Sequence, residues 1–274
     1  MATQVETISL GLAPEDTIAR FDIHQIIQHI GLMVSFTLLV ITGIPLKFHD
    51  WAISQAWIGL WGGIEVTRSI HYFGAWLMVG VGFYHLYYLW YSKAILKRPF
   101  PVKMIPSLQD FFKFFQEVGY YVGLRKEMPG YDRFNWKEKF DYWALFWGVP
   151  VMAVSGFIMM FPVFFTRFLP GWVVPTSLVA HSDEAMLALT WIVMVHIFFN
   201  HFTPGVFPMN TSIFTGRVPR ERYRRDHPLE YNRLMGIVEI ADDNTDEGAT
   251  DEKNDKSNDK NNNKSSEGDT KNIA

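Results

Sequence analysis

Cysteine is absent from the 274 residues. Disulfides, Cys-ligated iron–sulfur clusters, thiolate catalysis and C-x-x-C-H cofactor attachment are therefore excluded. Charge is scarce as well: Asp, Glu, Lys and Arg make up 19% of the chain and the net charge is −3. Such a balance offers no basic surface for nucleic acid. The sequence has no Gly-rich nucleotide fingerprint, so hydride transfer from a nicotinamide by this chain alone is excluded. The N-terminus has no basic stretch followed by an apolar run and a small-residue cleavage site. It carries Glu6, Glu15 and Asp16 instead, and no signal peptide is expected.

Apolar sequence is what the chain has in quantity: 49% hydrophobic and 16% aromatic residues. Four stretches approach the roughly 20 residues that cross a bilayer. They run from about Ile26 to Leu46, Ile70 to Tyr91, Tyr142 to Phe165 and Ala185 to Phe202. Ser182 and Asp183 read as the start of the fourth helix and Pro204 as its stop. The expected fold is all-α, an integral membrane four-helix bundle. Its expected parts are an N-terminal segment (1–22), the four-span domain (23–205), a basic segment (206–240) and a disordered polar tail (241–274). Lys and Arg concentrate between spans two and three and after span four. By the positive-inside rule both termini and the middle loop are expected in the cytoplasm. Trp51, Trp57, Trp61, Trp90, Trp136 and Trp172 lie near span ends, where an interfacial belt is expected. In the middle loop, Ser107 and Asp110 mark a helix start. Phe111, Phe112, Phe114 and Phe115 follow, giving a short helix on the inner membrane surface or packed on the protein's own cytoplasmic face.

Histidine carries the chemistry. Nine are present, and an ionisable side chain inside a bilayer is costly enough to imply a function. His71 and His85 are 14 residues apart, on nearly one helix face and about 21 Å apart along the axis. His181 and His196 are 15 apart, about 22 Å with a 60° offset. Because the second and fourth spans run in opposite directions, His71 and His181 share one depth, near the outer surface. His29, His85 and His196 share another, toward the inner surface, with His201 nearer the cytoplasm. Two layers of imidazole on facing helices suit bis-His ligation of two b-type haems. Gly31, Gly43, Gly74, Gly80, Gly82 and Gly156 allow close approach, to a macrocycle or simply of helix to helix.

Specific motifs extend this reading. F-D-x-x-x-x-x-x-H followed by T-G-I in span one, R-S-I-H in span two, and F-N-W-K-E-K-F-D-Y-W with a later S-G in span three resemble the four-span cytochrome b family. That family provides membrane subunits of formate dehydrogenases, nickel–iron hydrogenases and thiosulfate reductases. The resemblance covers about Arg20 to Tyr231. It implies His29 as an inner-haem ligand, His71 as an outer one, and His181 with His196 as their partners on span four. The family spaces that last pair by 14 residues, so His201 stands as an alternative to His196. His85 is an addition to the formate dehydrogenase pattern. It is an alternative to His29, a propionate contact, or a ligand to a third haem. H-S-D-E-A, F-F-N-H-F-T-P and F-P-M-N resemble a branch with multihaem partners.

The resemblance also implies a quinone site beside the inner haem, with Asn135 and Glu138 as its polar contacts. Glu138 would accept a proton; the plainer reading of both residues is a helix cap. Arg68, one turn before His71, is expected to pair with a haem propionate or to reach the headgroups. The implied function is electron transfer between membrane quinone and a redox subunit at the outer face, a multihaem cytochrome or an iron–sulfur protein. The docking surface would be the loop from Asp50 to Arg68, and the location the cytoplasmic membrane. Two other readings are open. A membrane di-iron oxygenase would use His24 with His29 and His196 with His201, although no H-x-x-H-H box is present. A haem-free anchor would leave the layered histidines unexplained.

Overall fold

The computed structural model describes residues 16–99, 101–203 and 205–236. The tail expected from 241 to 274 lies outside them, as do residues 1–15. In chain order the elements are β1 (Thr17–Ala19), α1 (Ile23–Lys47), α2 (Ala52–Leu60) and α3 (Ile64–Ala94). After a 3-10 turn at Val102–Met104 come α4 (Leu108–Tyr121), α5 (Trp136–Met160), α6 (Pro162–Phe165) and α7 (Val173–Trp191). A π-helical segment, Ile192–Ile197, carries α7 on into α8 (Phe198–His201). Then follow α9 (Ser212–Thr215), β2 (Arg217–Pro219), α10 (Arg220–Asp226) and α11 (Pro228–Met235).

Among the described residues the fold is mostly helical, and strand enters only as one antiparallel pair in which Thr17 faces Pro219 and Ala19 faces Arg217. Gly216 turns the chain into β2 with φ +70°, and a Cβ there would lie 2.5 Å from the Phe21 carbonyl oxygen. Its own carbonyl accepts from the backbone N–H groups of Arg20 and Phe21 at 2.8 and 3.0 Å.

Among the described residues three helices are long and apolar enough to cross a membrane: Ile23–Lys47, Trp136–Met160 and Val173–His201. The second expected span is a 31-residue helix, α3. Glu65, Arg68, His71, His85 and Lys93 dilute its apolarity. The expected boundaries need correction. Asp22 caps α1 through a capping box with Gln25, so the helix starts at Ile23 rather than Ile26. Asn135 and Glu138 cap α5 in the same way, which starts it six residues before Tyr142. Pro162 then ends it early, because Pro cannot continue the hydrogen-bond ladder, and the last residues form the separate turn α6. The largest correction concerns the fourth span. Ser182 and Asp183 do not begin a helix; α7 begins at Val173, and His181 lies inside it.

α1 packs along α3 and α5 along α7, while α3 also meets α5 and α1 meets α7. Between these helices lie small polar residues. Ser35, Thr42 and Ser155 are buried, and their hydroxyls donate to carbonyls of their own helices. Trp76, Phe83, Leu187 and Met194 point outward and are exposed. A small, hydroxyl-rich interior with an apolar exterior is the pattern of helices that pack in lipid. Gly31 and Gly74 serve this packing. A Cβ at Gly31 would come within 2.7 Å of Val81, and one at Gly74 within 3.3 Å of Leu38 and Leu39. At Gly80 a Cβ would meet nothing within 4 Å. Trp51, Trp57, Trp90 and Trp172 are exposed, and Trp61 and Trp136 partly buried.

The Ser107–Asp110 helix start is present, with the Asp110 carboxylate accepting from the Ser107 N–H and hydroxyl. The helix it opens, α4, has two faces. Leu108, Phe111, Phe112 and Phe115 are exposed. Phe114 packs edge-on against Trp136, and Lys139 pairs with Asp110 at 2.8 Å. Glu117, buried, accepts from Lys137, Tyr131 and Trp136. A second buried charge, Arg20, pairs with Glu138 at 3.0 Å and Glu230 at 3.6 Å and bonds the Tyr223 hydroxyl. It joins the start of α1 to α5, α10 and α11.

Burial alone would push the Glu117 carboxyl up, but the hydrogen bonds from Lys137 and Tyr131 outweigh it and hold it below the usual carboxylate range. A depressed carboxylate adds stability above its unfolded pKa of about 4.3 and loses it as pH falls through the folded value. Thermal unfolding in detergent is expected to show full stability at neutral pH and a decline below about pH 4.3. Glu117→Gln should cost about 3 kcal/mol at pH 7 and flatten that acid decline.

Candidate functional site

The four long helices bring the sequence-predicted histidines into two cross-helix pairs. His71 of α3 faces His181 of α7 with ring centroids 6.3 Å apart and an interplanar angle of 63°. His29 of α1 faces His196 of the π-helical segment at 6.2 Å and 26°. Each pair joins one helix of the α1/α3 half to one of the α5/α7 half.

The rings are held by their Nδ1 atoms. His71 Nδ1 lies 2.9 Å from Thr42 Oγ1, whose hydroxyl proton goes to the Leu38 carbonyl at 2.6 Å. The hydroxyl oxygen is thus free to accept the Nδ1 proton. His181 Nδ1 lies 3.1 Å from Ser155 Oγ and 3.1 Å from the Met152 carbonyl oxygen. A carbonyl only accepts, so the proton sits on Nδ1 and the lone pair on Nε2. His196 Nδ1 lies 2.8 Å from Asp141 Oδ2, and Trp191 Nε1–H donates to Oδ1 of the same carboxylate at 2.6 Å. Asn200, one turn on, donates to the His196 carbonyl at 2.8 Å. His29 Nδ1 is buried and has no partner among the described residues.

Glycine sets how closely two of these rings sit. A Cβ at Gly43 would meet His71 Cε1 at 3.1 Å, and one at Gly156 would meet His181 Cε1 at 3.2 Å. T-G in α1 and S-G in α5 therefore have one job each twice over. The hydroxyl holds the ring's nitrogen and the glycine leaves room for its carbon.

The π-helical segment resolves the spacing of His181 and His196. In an unbroken α-helix 15 residues leave a 60° offset. A π-helical turn takes in an extra residue without the extra rotation. The pair therefore presents itself as a 14-residue pair does, and His196 turns toward His29.

The other predicted residues are placed elsewhere. His85 has both nitrogens engaged: Nδ1 at 2.8 Å from Gln28 Oε1 and Nε2 at 3.1 Å from the Tyr142 hydroxyl. His201 Nδ1 accepts from the Asn210 N–H at 3.2 Å. Arg68 pairs with Glu65 at 3.1 Å on an exposed helix turn. Asn135 Oδ1 accepts from the Glu138 N–H, and Glu138 Oε2 from the Asn135 N–H, both at 2.9 Å. The other Glu138 oxygen takes Arg20. His24 Nδ1 lies 2.7 Å from the Tyr84 hydroxyl.

Sequence reasoning missed Asp141, Gln28, Tyr142 and the hydroxyls of Thr42 and Ser155. The hydroxyls stand beside glycines already singled out. Asp141 had a signal too, since a carboxylate within an apolar helix is costly. Starting the third span at Tyr142 left Asp141 one residue outside it.

Comparison with known proteins gives this arrangement a context. The family model described as prokaryotic cytochrome b561 matches residues 20–205. The formate dehydrogenase, cytochrome b556(fdo) subunit of Escherichia coli (strain K12) is 24% identical over 228 residues, covering 82% of this chain and 96% of that protein. The protein of the same name from Escherichia coli O157:H7 matches to the same extent.

Gly43→Val and Gly156→Val are expected to displace His71 and His181 and so lower the haem-to-protein ratio of the purified chain. Gly59→Val, where a Cβ would meet nothing within 4 Å, should leave the ratio unchanged. A pyridine haemochrome assay checks both.

Proposed function

The chain belongs to the prokaryotic cytochrome b561 family and is an integral-membrane cytochrome b of electron transfer, and on that premise we propose that it is a di-haem subunit linking membrane quinone to a partner redox subunit. His71 and His181 would hold the outer haem b, and His29 and His196 the inner one. The observation that carries this reading is the ring separation in the two pairs. Two metal–imidazole bonds of about 2 Å, plus about 1.1 Å from each nitrogen to its ring centre, would span about 6.2 Å between the ring centres. The pairs stand at 6.3 and 6.2 Å. The fit extends to the donor chemistry. Nδ1–H bonding to Thr42, Ser155, Met152 and Asp141 leaves the Nε2 lone pairs of three rings free, the tautomer a metal ligand needs.

Bound haem supplies one-electron transfer through a medium that holds no water. The chain's own residues bind, orient and insulate. Thr42 with Gly43, and Ser155 with Gly156, fix the outer ligands. Asp141 fixes one inner ligand, and exposed aromatics such as Trp76 and Phe83 face the lipid. In this reading α3 is a fourth span, both termini lie in the cytoplasm, and the membrane is the inner membrane. Quinone would bind beside the inner pair, near the start of α5. Asn135 and Glu138 stand there in the α5 cap, with Arg20 on the free carboxylate oxygen. Glu138 is the proposed proton acceptor, and Arg20 would steady its charge after release. The partner, a multihaem cytochrome or iron–sulfur protein, would dock on the outer face. There the loop ending in Gly62 and Gly63, at φ +94° and +104°, leads into α3. The formate dehydrogenase named among the relatives supports a partnership of this kind.

Among the described residues no group of three or more His, Asp or Glu side chains is placed to hold a metal ion, so the di-iron reading gains no site.

A reduced-minus-oxidised spectrum with a haem count is expected to give two b-type haems per chain. His71→Ala and His181→Ala should each remove one, and His29→Ala and His196→Ala the other. His85→Ala and His201→Ala should retain both. A count of three, falling in the His85 variant, would move His85 into the ligand set. No haem would overturn the reading.

A further inference from the structure

We propose that Asp141 lowers the reduction potential of the inner haem, a reading that rests on the ligand assignment above. Of the four paired rings, only His196 gives its Nδ1 proton to a carboxylate, at 2.8 Å. His71 is held by a hydroxyl, His181 by a hydroxyl and a carbonyl, and His29 by no partner among the described residues. The contact is a built one. Asp141 lies in the second turn of α5, partly buried, and Trp191 Nε1–H holds its other oxygen at 2.6 Å. Phe140 packs on the Trp191 ring with centroids 4.2 Å apart, which fixes the donor. The carboxylate therefore cannot swing away from the imidazole without breaking a second hydrogen bond.

The electronic consequence follows from general chemistry. A carboxylate accepting from Nδ1–H raises the basicity of the ring and so the electron density that Nε2 gives to a metal. Negative charge close to the ligand also favours the more positive, oxidised state, and does so strongly where little water screens it. Second-shell hydrogen bonding of this kind is a lever on haem potential. Trp191 opposes it in part, since its N–H draws density from the same carboxylate. The two residues act as a coarse and a fine setting on one ring.

The experiment is a spectroelectrochemical titration of the purified holo-chain, with haem counted in parallel. Asp141→Asn is nearly the same size but has lost the charge. It is expected to bind two haems and to raise one midpoint potential by about tenfold in the reduction equilibrium constant, about 59 mV. The other midpoint should not move. Trp191→Phe keeps the ring against Phe140, removes the opposing donor, and should lower the same midpoint by a smaller amount. Mere loosening of the site would not give shifts of opposite sign. Two unchanged midpoints with both haems bound in Asp141→Asn would overturn the proposal. If that variant does not fold, an unchanged or raised midpoint in Trp191→Phe would do so. Failure of the ligand assignment reads out separately, as two haems retained in His196→Ala.

Discussion

An imidazole between apolar helices has two nitrogens, and each needs an answer. The architecture around the paired histidines follows from that constraint. One nitrogen is left for the ring across the helix interface, so the other calls for a partner on the neighbouring helix, which three of the four paired rings have and His29 lacks among the described residues. Short hydroxyl side chains meet the need at His71 and His181. They accept from the ring while donating to a carbonyl of their own helix, so no group is stranded. A hydroxyl reaches the ring only if the helices are close, and closeness requires glycine at the next position. Thr42 with Gly43 and Ser155 with Gly156 are thus each one solution written in two residues.

The same constraint gives the π-helical segment its place. His196 must face His29 at one end of its helix while His181 faces His71 at the other. One more residue than an even helical repeat separates them. The π turn at Ile192–Ile197 absorbs the surplus where the ladder is locally widened, and His196 lies within it. Asp141 then meets that ring from α5.

Much of this was legible in sequence. The mostly helical character, the α4 start at Ser107, and the depth matching of His71 with His181 and His29 with His196 all follow from apolar runs and helical arithmetic. Less legible were the helix limits, because polar caps such as Asp22 and Asn135 extend helices beyond their apolar stretches. Ser182 and Asp183 misled for a related reason. They look like a cap, yet inside α7 Ser182 donates to the Val179 carbonyl and accepts from Lys47. The π turn leaves no mark that single-sequence periodicity reads, and it shows only as a spacing one residue too long. Asn135 and Glu138 were readable both as a quinone contact and as a cap. Their mutual hydrogen bonds form the cap, and the quinone contact is a proposal beside it.

The contact between His85 and Tyr142 has a further meaning. Count back 14 residues from Gly43 and one reaches His29; count back 14 from Gly156 and one reaches Tyr142. His85 follows His71 as His196, allowing for the π turn, follows His181. The two halves of the chain are thus built to one plan, and Tyr142 with His85 is the counterpart of His29 with His196. His196 meets another imidazole at 6.2 Å, whereas His85 is closed by a phenol hydroxyl at 3.1 Å. The level of His71 and His181 matches between the halves, and the other level does not. The difference between the two contacts comes down to one ring, at position 142.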